Sequence, residues 1–308
     1  MKKLLRVLFP ILFFVFFNTN AYSEEYLSKN KINVAFEKKN EKLAQYILET
    51  SQDVKNSIKD KIGIDYNKQL NIKISPSKKV FDKETGIQNL DVQGVAISDI
   101  GLVIINSENI VKNSNDDIFK LLEHEFAHIY LGDYISHSSD ISFPRWLNEG
   151  IAQYVSGGTS ELFSFSYQNS LQSAFMSNKV LPFSSLIDNF PNTRDSFTLA
   201  YAQSISMVQF LVDKYGVDKI KDLIMNIKEE NNFYRAFNKT YSIDFSDIEK
   251  EWLSEKRTTN FTIDYYLSTH ISDITNALIV IAALLAFIAN FIRTRRKKKA
   301  YELVEESN

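Results

Sequence analysis

The five residues His124-Glu125-Phe126-Ala127-His128 are the part of this 308-residue sequence best suited to chemistry. Histidines four residues apart lie about one turn apart on one face of a helix, where both imidazoles can bind one metal ion. The glutamate between them would lie beside that ion without binding it, and could act as general base towards water. The chain has only 4 histidines, so this pairing favours a zinc site.

The residues around the motif predict a helix from Asp116 to Leu131, capped by the run from Ser114 to Asp117 and ended by Gly132. HExxH also occurs by chance on the solvated face of ordinary helices. Here one side of the helix is apolar, and leucines flank the two histidines on the other side. Such a helix is typical of a wall between a core and a cleft. The apolar side consists of Ile118, Leu122, Phe126 and Ile129.

A catalytic zinc ion normally has three protein ligands, and a second predicted helix offers the third. This helix lies within Phe143 to Tyr154, with a proline suited to its first turn and Gly157-Gly158 suited to its end. Glu149 points away from its buried stripe, and Ala152, one turn later, would let another helix approach closely. The preceding linker is long enough for antiparallel packing against the first helix. Taken alone, Glu149 is an exposed helix carboxylate, but the upstream motif favours it as a ligand.

Other candidate ligands fit less well. The metzincin pattern requires Gly three residues and His six residues after the second histidine, where this chain has Leu131 and Tyr134. His137 lies in a polar run typical of a surface loop, and His270 stands just before an apolar segment, which favours an interfacial position. We therefore expect one zinc ion (Zn²⁺) per chain. Its expected ligands are His124, His128 and Glu149.

Four segments resemble the peptidase MA-like family, a group of bacterial gluzincin-type zinc metallopeptidases. In chain order they are HEFAH, PRWLNEGIAQY, LPFSSLI and YAQSISMVQFLVDKYG, and the resemblance covers roughly Gly94 to Gly216. It implies that His124, His128 and Glu149 bind zinc and that Glu125 is the catalytic base. Glu125 would take a proton from zinc-activated water as it attacks a carbonyl, and would pass that proton to the leaving amine.

The same resemblance implies further roles near the zinc. Tyr201 is our candidate donor to the oxyanion, by similarity to tyrosines in related gluzincins; the alternative is a core or rim position for one of 15 tyrosines. The strand beside the active-site helix, expected between Gly94 and Asn106, would bind extended peptide by strand addition. Many relatives have an acidic residue at the position of Gln153, where it can hydrogen-bond to a zinc ligand on the side away from the metal. Gln153 can also form a hydrogen bond but carries no charge.

The order of the predicted strands and helices along the rest of the sequence predicts an α+β protein. We expect a small antiparallel or mixed sheet lobe with an N-terminal helix over residues 24–115, then a mainly helical zincin catalytic lobe over residues 116–260. The predicted early elements are a helix over Phe36–Ile62 stopped by Gly63, a strand over Leu70–Ile74, and a hairpin of Gly94–Ser98 with Leu102–Asn106. The predicted later helices are Tyr167–Ser177, Phe197–Tyr215, Val217–Ile227 and Phe245–Lys256.

Both ends of the chain predict a membrane location. Three basic residues precede an apolar run from Val7 to Phe17, which is short for a span and typical of a secretory signal peptide over residues 1–23. Residues 274–292 carry no charge and are long enough to cross a bilayer as one helix. Six basic residues follow in the tail, residues 293–308. By the positive-inside rule the tail is cytoplasmic and the intervening domain lies outside.

Composition narrows the possible partners. Without the signal and the tail, 27 basic and 35 acidic residues remain, and this charge of −8 argues against nucleic acid. The chain has no cysteine, so disulfides are excluded.

The leading prediction is a membrane-anchored zinc metallopeptidase that acts outside the cytoplasm on peptides or proteins. One alternative is a non-catalytic surface protein that keeps zinc or binds a partner; no cysteine is available to close the fourth coordination position. Another is a zinc amide hydrolase acting on cell-envelope material, because zinc and a glutamate base cleave any amide. Endo- and exopeptidase action both stay open.

Overall fold

The computed structural model of the chain describes residues 24–87, 92–110, 114–135, 143–157, 166–257, 271 and 274–295. The expected signal peptide, His137, His270 and the tail from Arg296 onwards lie outside the described residues. The described residues form the predicted α+β fold, with a small mixed sheet near the N-terminus followed by helices.

Five strands form one sheet in the order β1-β2-β3-β5-β4. The strands are β1 (Glu24–Lys29), β2 (Ile32–Glu37), β3 (Leu70–Ser75), β4 (Gly94–Ile97) and β5 (Leu102–Asn106). The two outer pairs, β1 with β2 and β4 with β5, are antiparallel, while β2 with β3 and β3 with β5 are parallel. The predicted hairpin is therefore confirmed, and β4 is an edge strand.

Side chains alternate between the two faces of the sheet. Val103 and Ile105 of β5 point into the main core, whereas Leu102 and Ile104 point to the other face and pack with Phe81 in a smaller cluster. Phe81 belongs to α2 (Lys78–Thr85), and α3 (Ser107–Ile110) follows β5. The sheet thus carries its main core on one face, where the helices lie.

The first long helix, α1 (Glu41–Ile62), connects the parallel strands β2 and β3 and ends at Gly63, whose φ of +67° is the left-handed conformation that glycine favours. The stop was predicted correctly, but the predicted start at Phe36 was wrong. Phe36 lies in β2, because Ile32, Val34 and Phe36 alternate with partly exposed residues and so bury one face of a strand.

Seven further helices follow in the described domain. They are α4 (Asn115–Ile135), α5 (Arg145–Val155), α6 (Ser166–Ser177), α7 (Arg194–Tyr215), α8 (Asp218–Glu230), α9 (Phe233–Tyr241) and α10 (Phe245–Lys256). All but α9 were predicted within a few residues. Gly132 does not end α4, contrary to the prediction. A Cβ on Gly132 would lie 2.3 Å from the Cβ of Ser98, so this glycine lets the β4–β5 turn approach the helix.

A last helix, α11 (Ile274–Arg295), is long and apolar enough to cross a membrane by length and composition, and it is exposed along its length. It is the one such helix among the described residues.

Helix α5, which carries Glu149, packs against aromatic side chains through Trp146 and against α7 through Gly150. Trp146 is fully buried, and its ring lies 4.8 Å from that of Phe183 and 5.3 Å from that of Phe245. A Cβ on Gly150 would lie 2.6 Å from the backbone oxygen of Ser204 in α7. Helix α7 therefore approaches α5 closely at Gly150. Ala152, where the sequence predicted a close approach, is fully buried.

Gly150→Ala is expected to destabilise the fold by about 1–3 kcal/mol, because the added methyl group overpacks the α5–α7 contact. Helix propensity alone would give the opposite sign, a gain of about 1 kcal/mol for alanine over glycine. Urea unfolding of the two proteins measures the sign directly, and a stabilised variant would contradict the close contact.

Candidate metal centre

The structure brings together the three expected ligands, His124 and His128 from α4 and Glu149 from α5. The two histidine Nε2 atoms lie 3.1 Å apart. Oε2 of Glu149 lies 3.5 Å from Nε2 of His128 and 3.8 Å from Nε2 of His124. The three side chains are largely buried. No other His, Cys, Asp or Glu joins this group in the described part of the chain.

These distances fit one tetrahedral zinc ion. Bond lengths of about 2.0–2.1 Å to nitrogen and oxygen place two tetrahedral ligands about 3.3–3.4 Å apart. Oε2 of Glu149 is buried and has no hydrogen-bond partner among the described residues. A buried carboxylate oxygen without a donor is costly unless a cation satisfies it. The donor set of two imidazoles and one carboxylate is also the one that zinc accepts in open, three-ligand sites.

Asn148 orients one imidazole, and the sequence analysis did not identify it. Its Oδ1 lies 2.8 Å from Nδ1 of His128. An amide oxygen can only accept, so Nδ1 of His128 donates to Asn148, and the ring presents Nε2 to Glu149 and His124. The signal available in the sequence was its position: Asn148 immediately precedes the expected ligand Glu149 on the same helix.

His124 has no comparable support. Its Nδ1 is buried with no hydrogen-bond partner among the residues that the structure describes. Gln153 is fully buried one turn after Glu149, but it does not bond to this nitrogen.

Glu125 lies between the metal centre and the edge strand β4. Its carboxylate accepts a hydrogen bond from the backbone N–H of Ala96. A Cβ on Gly94 would lie 3.0 Å from Cγ and Oε1 of Glu125, so the glycine leaves room for this side chain. Burial raises the pKa of Glu125 to about 7, which suits a proton acceptor near neutral pH.

Burial and mutual contact also set the charges of the other groups. Burial and the adjacent His128 lower the pKa of His124 to about 3, so this imidazole is neutral at physiological pH. Burial alone would raise the pKa of Glu149, but the positive charge of His128 outweighs burial and lowers that pKa to about 2. Burial would lower the pKa of His128, but the charge of Glu149 raises it to about 9. His124 and Glu149 are thus already in the forms that bind zinc, whereas His128 must release a proton to bind it.

Tyr201 lies beside Glu149, with its hydroxyl within hydrogen-bonding reach of Glu149 and Arg145. It lies two turns into α7, which begins at Arg194 with Thr193 as its cap. Burial raises the pKa of Tyr201 well above its usual value, so the phenol keeps its proton. Tyr167 of α6 is a second buried phenol that interacts with Tyr201 and Glu149, and sequence reasoning missed it.

The outer edge of β4 faces the same region. The backbone N–H of Asn106 donates to the carbonyl of Gln93, so Val95 and Ile97 face β5 as well, by the alternation of antiparallel pairs. The backbone groups of Gly94 and Ala96 therefore point to the open edge, where Ala96 meets Glu125.

Comparison with known proteins identifies the family. The model of the Peptidase MA superfamily matches residues 50–257, about two thirds of the chain, and the chain belongs to this superfamily. Membership confirms the resemblance found in the sequence and supports a metallopeptidase, in a family that is typically zinc-dependent.

Two individual proteins are similar. An uncharacterized protein, YhcO, of Bacillus subtilis (strain 168) is 23% identical over 214 residues, which are 66% of this chain and 62% of that protein. Yeast LTA4 hydrolase is 14% identical with a TM-score of 0.44, over 80% of this chain and 39% of that enzyme. This chain thus spans less than two thirds of either relative, and neither likeness transfers an activity.

Asn148→Leu is expected to lower zinc affinity about 10- to 100-fold, because the His128 ring loses the acceptor that orients it. Asn148→Asp keeps an acceptor at this position and should bind zinc at least as tightly as Asn148→Leu does. Competition with a coloured chelator measures both affinities, and equal affinity of Asn148→Leu and the wild type would rule out the orienting role.

Proposed function

We propose that this protein is a membrane-anchored zinc peptidase that hydrolyses peptide bonds outside the cytoplasm. The observation that carries the proposal is the convergence of His124, His128 and Glu149 in one buried group, with Glu125 immediately beside it. Membership of the Peptidase MA superfamily supports the same chemistry. The three ligand groups, without a fourth among the described residues, favour an open catalytic site over a closed structural one.

A zinc ion in this site would act as a Lewis acid and lower the pKa of water towards neutrality. Glu125 is the base: it accepts the proton of the attacking water and returns it to the amine nitrogen as the peptide bond breaks. The Ala96 N–H and the space at Gly94 orient its carboxylate. Asn148 bonds to Nδ1 of His128 and so orients Nε2 of this ring towards the proposed metal.

Tyr201 is the proposed donor to the oxyanion that develops on the carbonyl oxygen. Its buried phenol is protonated at physiological pH and lies next to Glu149, so a proton is available at the rim of the metal centre. The Ala96 N–H already donates to Glu125, so the outward groups of β4 that would bond to an extended substrate are the N–H and carbonyl of Gly94 and the carbonyl of Ala96. Arrangement of the substrate along β4 would bring one of its carbonyls past Glu125.

The membrane part of the proposal rests on α11 and on the charges around it. This helix suits a single span, and six basic residues lie at its C-terminal end and directly after it, from Arg293 to Lys299. By the positive-inside rule the C-terminal tail is cytoplasmic and the zinc domain is extracytoplasmic. The apolar N-terminal run of the sequence would be the export signal.

Glu125→Gln is expected to abolish hydrolysis of a denatured protein while zinc stays bound, because the amide cannot take the proton but none of the three ligands is lost. Activity and zinc content are measured on the same full-length preparation in detergent. Glu255→Gln, the same exchange at an exposed position of α10, should change neither. Undiminished hydrolysis by Glu125→Gln would reject this base.

Removal of the metal tests the cofactor separately. Dialysis against a strong chelator should abolish hydrolysis, and one equivalent of zinc per chain should restore it. Full activity in metal-free protein, with metal analysis as the check, would reject the zinc mechanism.

Tyr201→Phe is expected to lower kcat about 100-fold with little change in KM, because the lost donor acts on the transition state rather than on bound substrate. Tyr241→Phe is the matched control, since Tyr241 is equally buried but bonds to the Lys219 carbonyl, away from the metal group. Similar kcat losses in both variants would assign Tyr201 to packing.

A further inference from the structure

The last turn of α1 contacts both metal-bearing helices on the side away from the proposed zinc. Nζ of Lys61 lies 2.5 Å from Oε1 of Glu123 in α4 and 2.6 Å from the backbone oxygen of Val155 in α5. The hydroxyl of Ser57 donates to the same oxygen of Glu123 at 2.5 Å. One ammonium group therefore bridges two helices that contribute zinc ligands.

Each of these contacts satisfies a group that would otherwise be costly. The Glu123 side chain is 2% exposed, and a buried carboxylate requires a cation and donors. Val155 is the last residue of α5, so its carbonyl has no donor within the helix and lies at the negative end of the helix dipole. The ion pair with Glu123 links α1 to α4 only. The additional bond from Lys61 to the Val155 carbonyl links α5 to these two helices.

The two residues that Lys61 bridges lie close in sequence to the proposed zinc ligands. Glu123 immediately precedes His124, and Val155 follows Glu149 by six residues, about 9 Å along the helix. At the other end, Asn148 bonds to His128. The helices α4 and α5 therefore run in opposite directions with one polar tie at each end, and two ties prevent one helix from sliding along the other.

The C-terminal end of α5 borders a surface groove. The groove opens to solvent, has a volume of about 350 Å³ and is lined by Lys61, Tyr154, Gly157, Ile205 and Gln209. If the bond from Lys61 were lost, the end of α5 could move towards this groove.

We propose that Lys61 is a positioning residue, which holds α5 against α4 and thereby fixes the separation of Glu149 from His124 and His128. The inference rests on the proposed zinc site and adds a determinant of its affinity on the opposite side of the helices. Lys61 touches neither the proposed metal nor the substrate. Its effect is on the relative position of the ligands.

The experiment measures zinc affinity and thermal stability of three variants of the full chain in detergent. Lys61→Met removes both bonds of the ammonium, and zinc affinity is expected to fall about tenfold, at the lower end of the range for residues that support ligands. Lys61→Arg can reach both acceptors and should stay within about threefold of the wild type. Lys61→Met combined with Glu123→Gln removes the isolated buried charge, and should regain most of the lost melting temperature while its zinc affinity stays low.

The double variant separates positioning from stability and remains informative if Lys61→Met alone does not fold. Ile220→Val in α8, a buried position remote from the metal group, is the control for moderate destabilisation and should leave zinc affinity unchanged. Wild-type zinc affinity in the double variant would overturn this inference alone, as would an equal loss in Ile220→Val. Failure of the wild-type protein to bind zinc would overturn the proposed function, and the inference with it.

Discussion

The contact between α4 and α5 is the constraint on which the rest of this structure depends. It places two imidazoles and two carboxylates, Glu125 and Glu149, in a largely buried region where unsatisfied charge is expensive. Such a group is costly unless cations or donors satisfy its polar atoms, so the helices must hold a fixed separation. The aromatic contacts of Trp146, the close approach at Gly150 and the ties at Asn148 and Lys61 all serve that separation.

Three glycines let backbones approach where a side chain would keep them apart. Gly150 brings α5 against α7, Gly132 brings the β4–β5 turn against α4, and Gly94 makes room for Glu125 beside β4. Together they connect the sheet, the histidine helix and the glutamate helix into one rigid frame around the metal group. The edge of β4 and the proposed base Glu125 are consequently fixed relative to each other, as a peptide bound along that edge would require.

The two histidines of the candidate metal centre are supported differently. His128 is oriented by Asn148, whereas Nδ1 of His124 has no partner in the described part of the chain. The position of the His124 ring therefore depends on the packing of the helix pair, which gives the contacts of Asn148 and Lys61 their importance.

The sequence by itself determined the HExxH helix, the glutamate helix, the hairpin, the apolar C-terminal helix and the family, because each depends on short-range spacing or periodicity. It missed β1, β2, α2, α3 and α9, and it assigned Phe36 to a helix although Ile32, Val34 and Phe36 alternate as in a strand. Only the tertiary structure decided that Asn148 faces His128, that Tyr167 and Tyr201 lie near Glu149, and that Lys61 bridges Glu123 and Val155. The partners of those contacts lie up to 94 residues apart, and no periodicity in a sequence encodes how two helices are placed side by side.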